Sequence, residues 1–243
     1  MRRIPLETMN PCVPPPAIAA LFLATSRGGH PAPAWVPLLI LPVFLVVATL
    51  GIRAAIRQQR QARERMAALA DQLHLEFRQP APVGTFGIRP PPTVEGTHRG
   101  RPVRFFTYTT GSGKNQQHWG AVAAAAAGAG SFTLDLFPQN FLTHLGVALG
   151  MQDIQVGDPA FDPLFVVKSN DPAYAAAALL PELRARLVAE RKRGALGHLS
   201  VKDGEVRYAE IGGFGQATRV ARLTEMLELV CDLAEVADVY RKT

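Results

Sequence analysis

Apolar and polar positions along this chain alternate with three distinct periods, and each period predicts a different kind of element. From Ala34 to Ile52 there is no alternation: nineteen residues pass without an ionisable group. As a helix this run reaches about 28 Å, close to the hydrocarbon thickness of a bilayer. It predicts one transmembrane helix. From Arg53 to about Leu75 good helix formers dominate, polar at first, with Met66, Leu69, Ala70 and Leu73 then opening an apolar stripe. Gln79 to Pro92 carries five prolines and two glycines and reads as extended or irregular.

Period-two patterning follows. Thr93–His98 and Arg101–Thr110 flank Arg99-Gly100 as a hairpin, and the second strand is rich in Val, Phe, Tyr and Thr. Gln116–Ala127 reads as a strand despite its alanines, because turns and glycines bound it. Phe132–Leu136 and Leu164–Val167 are further strands, and Asn140–Leu149 a short helix. Asp171-Pro172 offers an N-cap with proline at the first helical position, a second helix starts at Pro181, and Gly194 terminates it. His198–Lys202 and Glu205–Ile211 surround Asp203-Gly204, a hairpin signal. Finally Val220, Leu223, Leu227, Val230, Ala234 and Ala237 make a narrow helical seam. Such a seam packs across a sheet or, alternatively, against a second copy. The fold class expected is α+β: an antiparallel sheet packed by C-terminal helices, preceded by one transmembrane helix. The division is 1–33 a disordered extracytoplasmic tail, 34–52 the transmembrane helix and 53–76 a juxtamembrane helix. A Pro-rich linker at 77–92 and a cytosolic α+β domain at 93–243 complete it.

Charge adds direction. Arg53, Arg57, Arg60, Arg63 and Arg65 follow the apolar run, against Arg27 alone in the fifteen residues before it. Basic residues near a span stay cytoplasmic, so the C-terminal bulk is placed in the cytosol. The net charge of +6 is local: residues 1–65 hold eight Lys/Arg and two acids, and residues 66–243 hold eighteen of each. The cytosolic part has no basic excess to grip a phosphate backbone, which argues against nucleic acid as a partner. The expected partner is the bilayer, through the helix, with a protein partner or the membrane surface for the domain. Arg99, Arg101 and Arg104 form a local basic patch that is either a solvated hairpin face or a lipid contact. Cys12 and Cys231 fall on opposite sides of the membrane, so no disulfide joins them; Cys231 reads as a small core residue.

Candidate chemistry changes little. Thr110-Gly111-Ser112-Gly113-Lys114 fails the phosphate-loop pattern at Tyr108 and Asn115, and lacks the outer glycines of a nucleophile elbow. The six histidines are scattered without ligand spacing. Asp153, Asp158 and Asp162 are the one carboxylate cluster, suited to a hard cation or to acid–base work. Asp158 and Asp162 both precede proline, where aspartates serve turns. No catalytic, cofactor-binding or metal residue is assigned. The primary reading is a tethered binding module; the alternative is an enzyme or metal-binding domain using the Asp153/Asp158/Asp162 loop.

The apolar span, the basic helix, Arg99-Gly100-Arg101-Pro102-Val103 and above all the segment Gly157-Asp158-Pro159-Ala160-Phe161-Asp162-Pro163-Leu164-Phe165 resemble a group of uncharacterised bacterial single-pass membrane-anchored proteins. The resemblance covers roughly residues 34–240. It implies a bacterial inner-membrane protein and supplies no activity, cofactor or catalytic residue.

Overall fold

Two type-I′ hairpin turns do much to set the register of the sheet. Arg99 and Gly100 take φ of 53° and 73°, and Asp203 and Gly204 take 55° and 79°, the double left-handed geometry that matches strand twist. The computed structural model describes residues 35–82, 90–129, 132–139, 154–194 and 197–240, with side chains from Pro42 onward. The tail 1–33, the helix expected over Asn140–Leu149, and Asp153 lie outside the described residues.

In chain order the elements are α1 (Trp35–Leu73), β1 (Glu76–Arg78), β2 (Thr93–His98), β3 (Arg101–Thr110), β4 (Gln117–Ala125), β5 (Leu134–Pro138) and β6 (Phe165–Ser169). These are followed by α2 (Pro172–Ala178), α3 (Pro181–Lys192), β7 (His198–Lys202), β8 (Glu205–Ile211) and α4 (Ala217–Tyr240). Among the described residues the strands form one eight-stranded sheet in the order β1-β2-β3-β4-β8-β7-β5-β6, and every ladder between named strands is antiparallel. The α+β class and the antiparallel sheet with its C-terminal helix are as expected. β4 is a strand because its alanines pair residue by residue with both β3 and β8; those ladders override the helical propensity of Ala.

Contacts divide the chain into two units, Met1–Ala55 and Ile56–Thr243. In the first, the large apolar side chains from Val43 to Ile52 stay more than half exposed, Phe44 at 68 %. Among the described residues no helix is long and apolar enough to cross a membrane, so the expected transmembrane helix over 34–52 is not found there.

In the second unit strand alternation sorts side chains onto two faces. Val103, Phe105, Val122, Val206, Tyr208 and Leu199 point to the main core, where Leu223, Leu227, Val230, Ala234 and Ala237 of α4 meet them at 0–3 % exposure. The α4 seam is therefore consumed across the sheet and is not free for a second copy. Met66, Leu69 and Ala70 of α1 join the same core. On the other face Trp119, Ala121, Phe137 and Ala209 form a smaller cluster with Phe106 and Tyr108 against it. Asp171 caps α2 with 3.0 Å bonds from the N–H groups of Ala173 and Tyr174, and Gly194 ends α3 at φ +90°, both as the sequence indicates. Cys231 is fully buried, and that burial pushes its thiol up to about 11.

Candidate functional site

The aspartate loop was the one site the sequence offered, and its two described carboxylates, Asp158 and Asp162, are engaged by loop N–H groups and by Arg184. Asp162 Oδ1 accepts from the Val156 N–H at 3.1 Å, and its Oδ2 from those of Gly157 and Asp158 at 3.0 and 3.2 Å. Asp158 Oδ1 accepts from Ala160 N–H at 2.9 Å, and its Oδ2 lies 3.4 Å from Arg184 Nε. These are turn-stabilising bonds of the kind aspartate makes with nearby backbone. Among the described residues no group of three or more His, Cys, Asp or Glu is placed to hold a metal ion. Phe161 and Phe165 stack at 4.8 Å and anchor the loop to the core.

The basic hairpin patch is also committed. Arg99 bonds Asp232 at 2.6 Å, Glu235 at 2.8 Å and Glu228 at 3.2 Å, all on the outer stripe of α4. Arg101 holds Asp238 at 2.6 Å and the Ala125 carbonyl at 2.7 Å, and Arg104 reaches Glu205 at 2.6 Å. His98 meets Glu228 at 2.7 Å. The patch clamps the β2–β3 hairpin onto the terminal helix. His118 pairs with Thr109 at 2.9 Å, and His198 with Asp135 at 2.8 Å while stacking on Phe137. The structure brings none of these histidines together.

Two features escaped the sequence. The first is an open groove of about 550 Å³ on the sheet face opposite α4. Strand register builds it: Glu76, Glu95, Arg104 and Ala123 are successive cross-strand neighbours on one face. Thr97 and Pro102, themselves a cross-strand pair, belong to its lining. Four carboxylates (Glu76, Glu95, Asp203, Glu205) and two guanidiniums (Arg78, Arg104) line it. Arg78 stands 2.9 Å from Glu76 and 3.4 Å from Glu95, one guanidinium between two carboxylates. Glu205 is drawn up by burial, but Arg207 and Arg104 outweigh this and hold it below the ordinary carboxylate value. Glu205 is therefore ionised at neutral pH. Arg104 lies 4.4 Å from the Phe106 ring centre, joining it to the aromatic cluster.

The second is a buried polar knot at the far end of β8. Glu210 is 3 % exposed. It accepts from Arg222 Nε at 2.9 Å and Nη2 at 2.8 Å, and from the Tyr208 hydroxyl at 2.8 Å. Burial, then the neighbouring carboxylate, push the Tyr208 phenol well up, so it remains a donor. A faint signal was present in the sequence: Val206, Tyr208 and Glu210 share one strand face, and an inward glutamate needs a partner.

No protein-family model matches the chain and no curated protein does. Among solved structures the chain is similar to the mycobacterial trehalose monomycolate transport factor A, TtfA, at 14 % identity and a TM-score of 0.48, over 73 % of this chain and 94 % of that one.

Proposed function

We propose that the chain is a membrane-tethered, non-enzymatic module whose cytosolic domain binds a protein partner on the face of its sheet opposite α4. The observation that carries the reading is the groove between β1 and β8, some 550 Å³ of open surface lined by acidic and basic side chains. Its lining holds two more acids than bases, which disfavours an anionic lipid surface and suits a protein surface offering basic side chains. The tether rests on the nineteen uncharged residues Ala34–Ile52, on the exposure of their described apolar side chains, and on the arginines that follow. Orientation with the C-terminal domain in the cytoplasm rests on those arginines alone.

The test is site-directed. A photo-crosslinking residue at Thr97 in the full chain is expected to give one defined adduct with a partner, and Pro102→Trp, which fills the groove, to abolish it. Crosslinking with equal yield from Val239, an exposed position on α4, or no adduct at Thr97, refutes the docking face.

A further inference from the structure

Around the loop Gly212–Gln216, guanidiniums outnumber carboxylates. The first turn of α4 contains no acidic residue and carries Arg219, with Arg222 one turn on. Both face the single carboxylate Glu210. Arg222 takes both of its oxygens, while Arg219 Nε stands 3.9 Å away, too far for a hydrogen bond. That Nε is buried without a hydrogen-bond partner, although Nη1 of the same group donates to the Gly213 carbonyl at 3.0 Å. A third guanidinium, Arg65 of α1, donates to the Gly215 carbonyl. Gly212 allows the arrangement: it sits at φ +96°, and a Cβ there would press against the Arg219 guanidinium.

Two guanidiniums thus face one carboxylate whose lone pairs are already engaged, and a third, Arg65, reaches the same loop at the Gly215 carbonyl. Glu190 on α3 also acts on Arg222, but its Oε1 is held by Arg193 at 2.8 Å. A buried cation in the first turn of a helix meets the positive end of the helix dipole. Burial, and then Arg222, depress the Arg219 pKa, with Glu210 opposing them. Buried charge without full compensation is costly, and the side chains of Arg219 and Arg222 remain 16 % and 25 % exposed, open to a ligand from solvent.

We propose that Arg219 and Arg222 form a binding site for a phosphate-type oxyanion. Planar guanidinium forks match such an oxyanion in geometry as well as charge. Two sources share this chemistry, free phosphate and the phosphomonoester of a lipid headgroup. The site is separate from the docking groove, lying at the opposite end of β8 from Glu205, so either proposal can fail alone.

The experiment uses the full chain in uncharged maltoside micelles, with inorganic phosphate titrated against chloride at constant ionic strength. A saturable rise in Tm is expected, roughly 3–6 °C at ten times the dissociation constant. A second arm compares nanodiscs of phosphatidylcholine with and without phosphatidic acid, reading hydrogen exchange of residues 212–222. A response to phosphate alone assigns the free ion; protection with phosphatidic acid alone assigns the headgroup. In either case Arg219→Gln is expected to remove the response. Should that variant not fold, Arg219→Lys keeps the charge but loses the fork, and about tenfold weaker binding is expected from one lost bidentate contact. Silence in both arms, or a response undiminished in Arg219→Gln or Arg219→Lys, overturns the site.

Discussion

Replacing Glu210 by Gln removes one charge from the interior and keeps the volume. Four hydrogen bonds converge on this carboxylate, three from Arg222 at 2.8, 2.9 and 3.2 Å and one from Tyr208 at 2.8 Å. Breaking a buried pair by neutralising one partner costs about 3–5 kcal/mol. Arg222 is one-quarter exposed and recovers some hydration, so the lower end applies, about 3 kcal/mol. For a unit of this size that corresponds to a fall in Tm of roughly 6–12 °C. Urea unfolding of the full chain in detergent, followed by far-UV circular dichroism, measures the change. The double variant Glu210→Leu with Arg222→Leu separates the pair from its surroundings. Removing both charges is expected to cost at least 1 kcal/mol less than the sum of the two single leucine variants, on the order of measured neighbour couplings. A loss below about 1 kcal/mol in Glu210→Gln, or strict additivity in the cycle, refutes the view that this knot is an interdependent unit.

Other expectations follow from single contacts. A Cβ at Gly128 would overlap the Ala237 carbonyl of α4, so Gly128→Ala is expected to destabilise by about 1–3 kcal/mol; an unchanged denaturation midpoint contradicts the packing. Leu223, wholly buried between α4 and the sheet, is expected to cost about 2–5 kcal/mol as Leu223→Ala, read from the same unfolding curves. Glu205 has a depressed carboxylate pKa in the folded chain, so its stabilisation is present above about 4.5, the ordinary glutamate value, and is lost as pH falls through the folded value. Glu205→Gln should therefore flatten the acid limb of a Tm–pH profile between pH 3 and 5, and an unaltered limb counts against the pairing. In a Cys12→Ser background the Cys231 thiol, at about 11, is expected to resist alkylation until urea unfolds the chain; rapid labelling of native protein would show α4 to be loosely docked. A C-terminal reporter active only outside the cytoplasm is expected to be silent, and a bright signal reverses the proposed topology.

Local signals were legible in the sequence where chemistry between near neighbours decides the conformation. Asp203-Gly204, Arg99-Gly100 and the Asp171 cap needed nothing beyond adjacent residues. The α4 seam was readable because one helix face carries the whole period. Strand order was not legible, since β4 and β8 lie side by side although some eighty residues separate them. β1 escaped because Glu76-Phe77-Arg78 buries only its middle side chain, and then only partly. The groove escaped for the same reason as strand order: Glu76, Glu95, Arg104 and Ala123 come from four strands and become neighbours only through register. The aspartate loop shows the opposite limit. In the sequence Asp158 and Asp162 read either as turn supports before proline or as cation ligands, and the positions of the nearby N–H groups decide for the turn.

β8 is made after the other seven described strands, yet it slots between β4 and β7, near the middle of the sheet. A nascent chain lacking residues past 204 owns two disconnected half-sheets, β1–β4 and β5–β7, each with a raw inner border able to pair with foreign strands. Emergence of β8 and then α4 is what welds them. The domain should consequently depend on chaperone shelter until both are made, and stops placed between residues 204 and 240 should yield insoluble or degraded product rather than a partly working fragment.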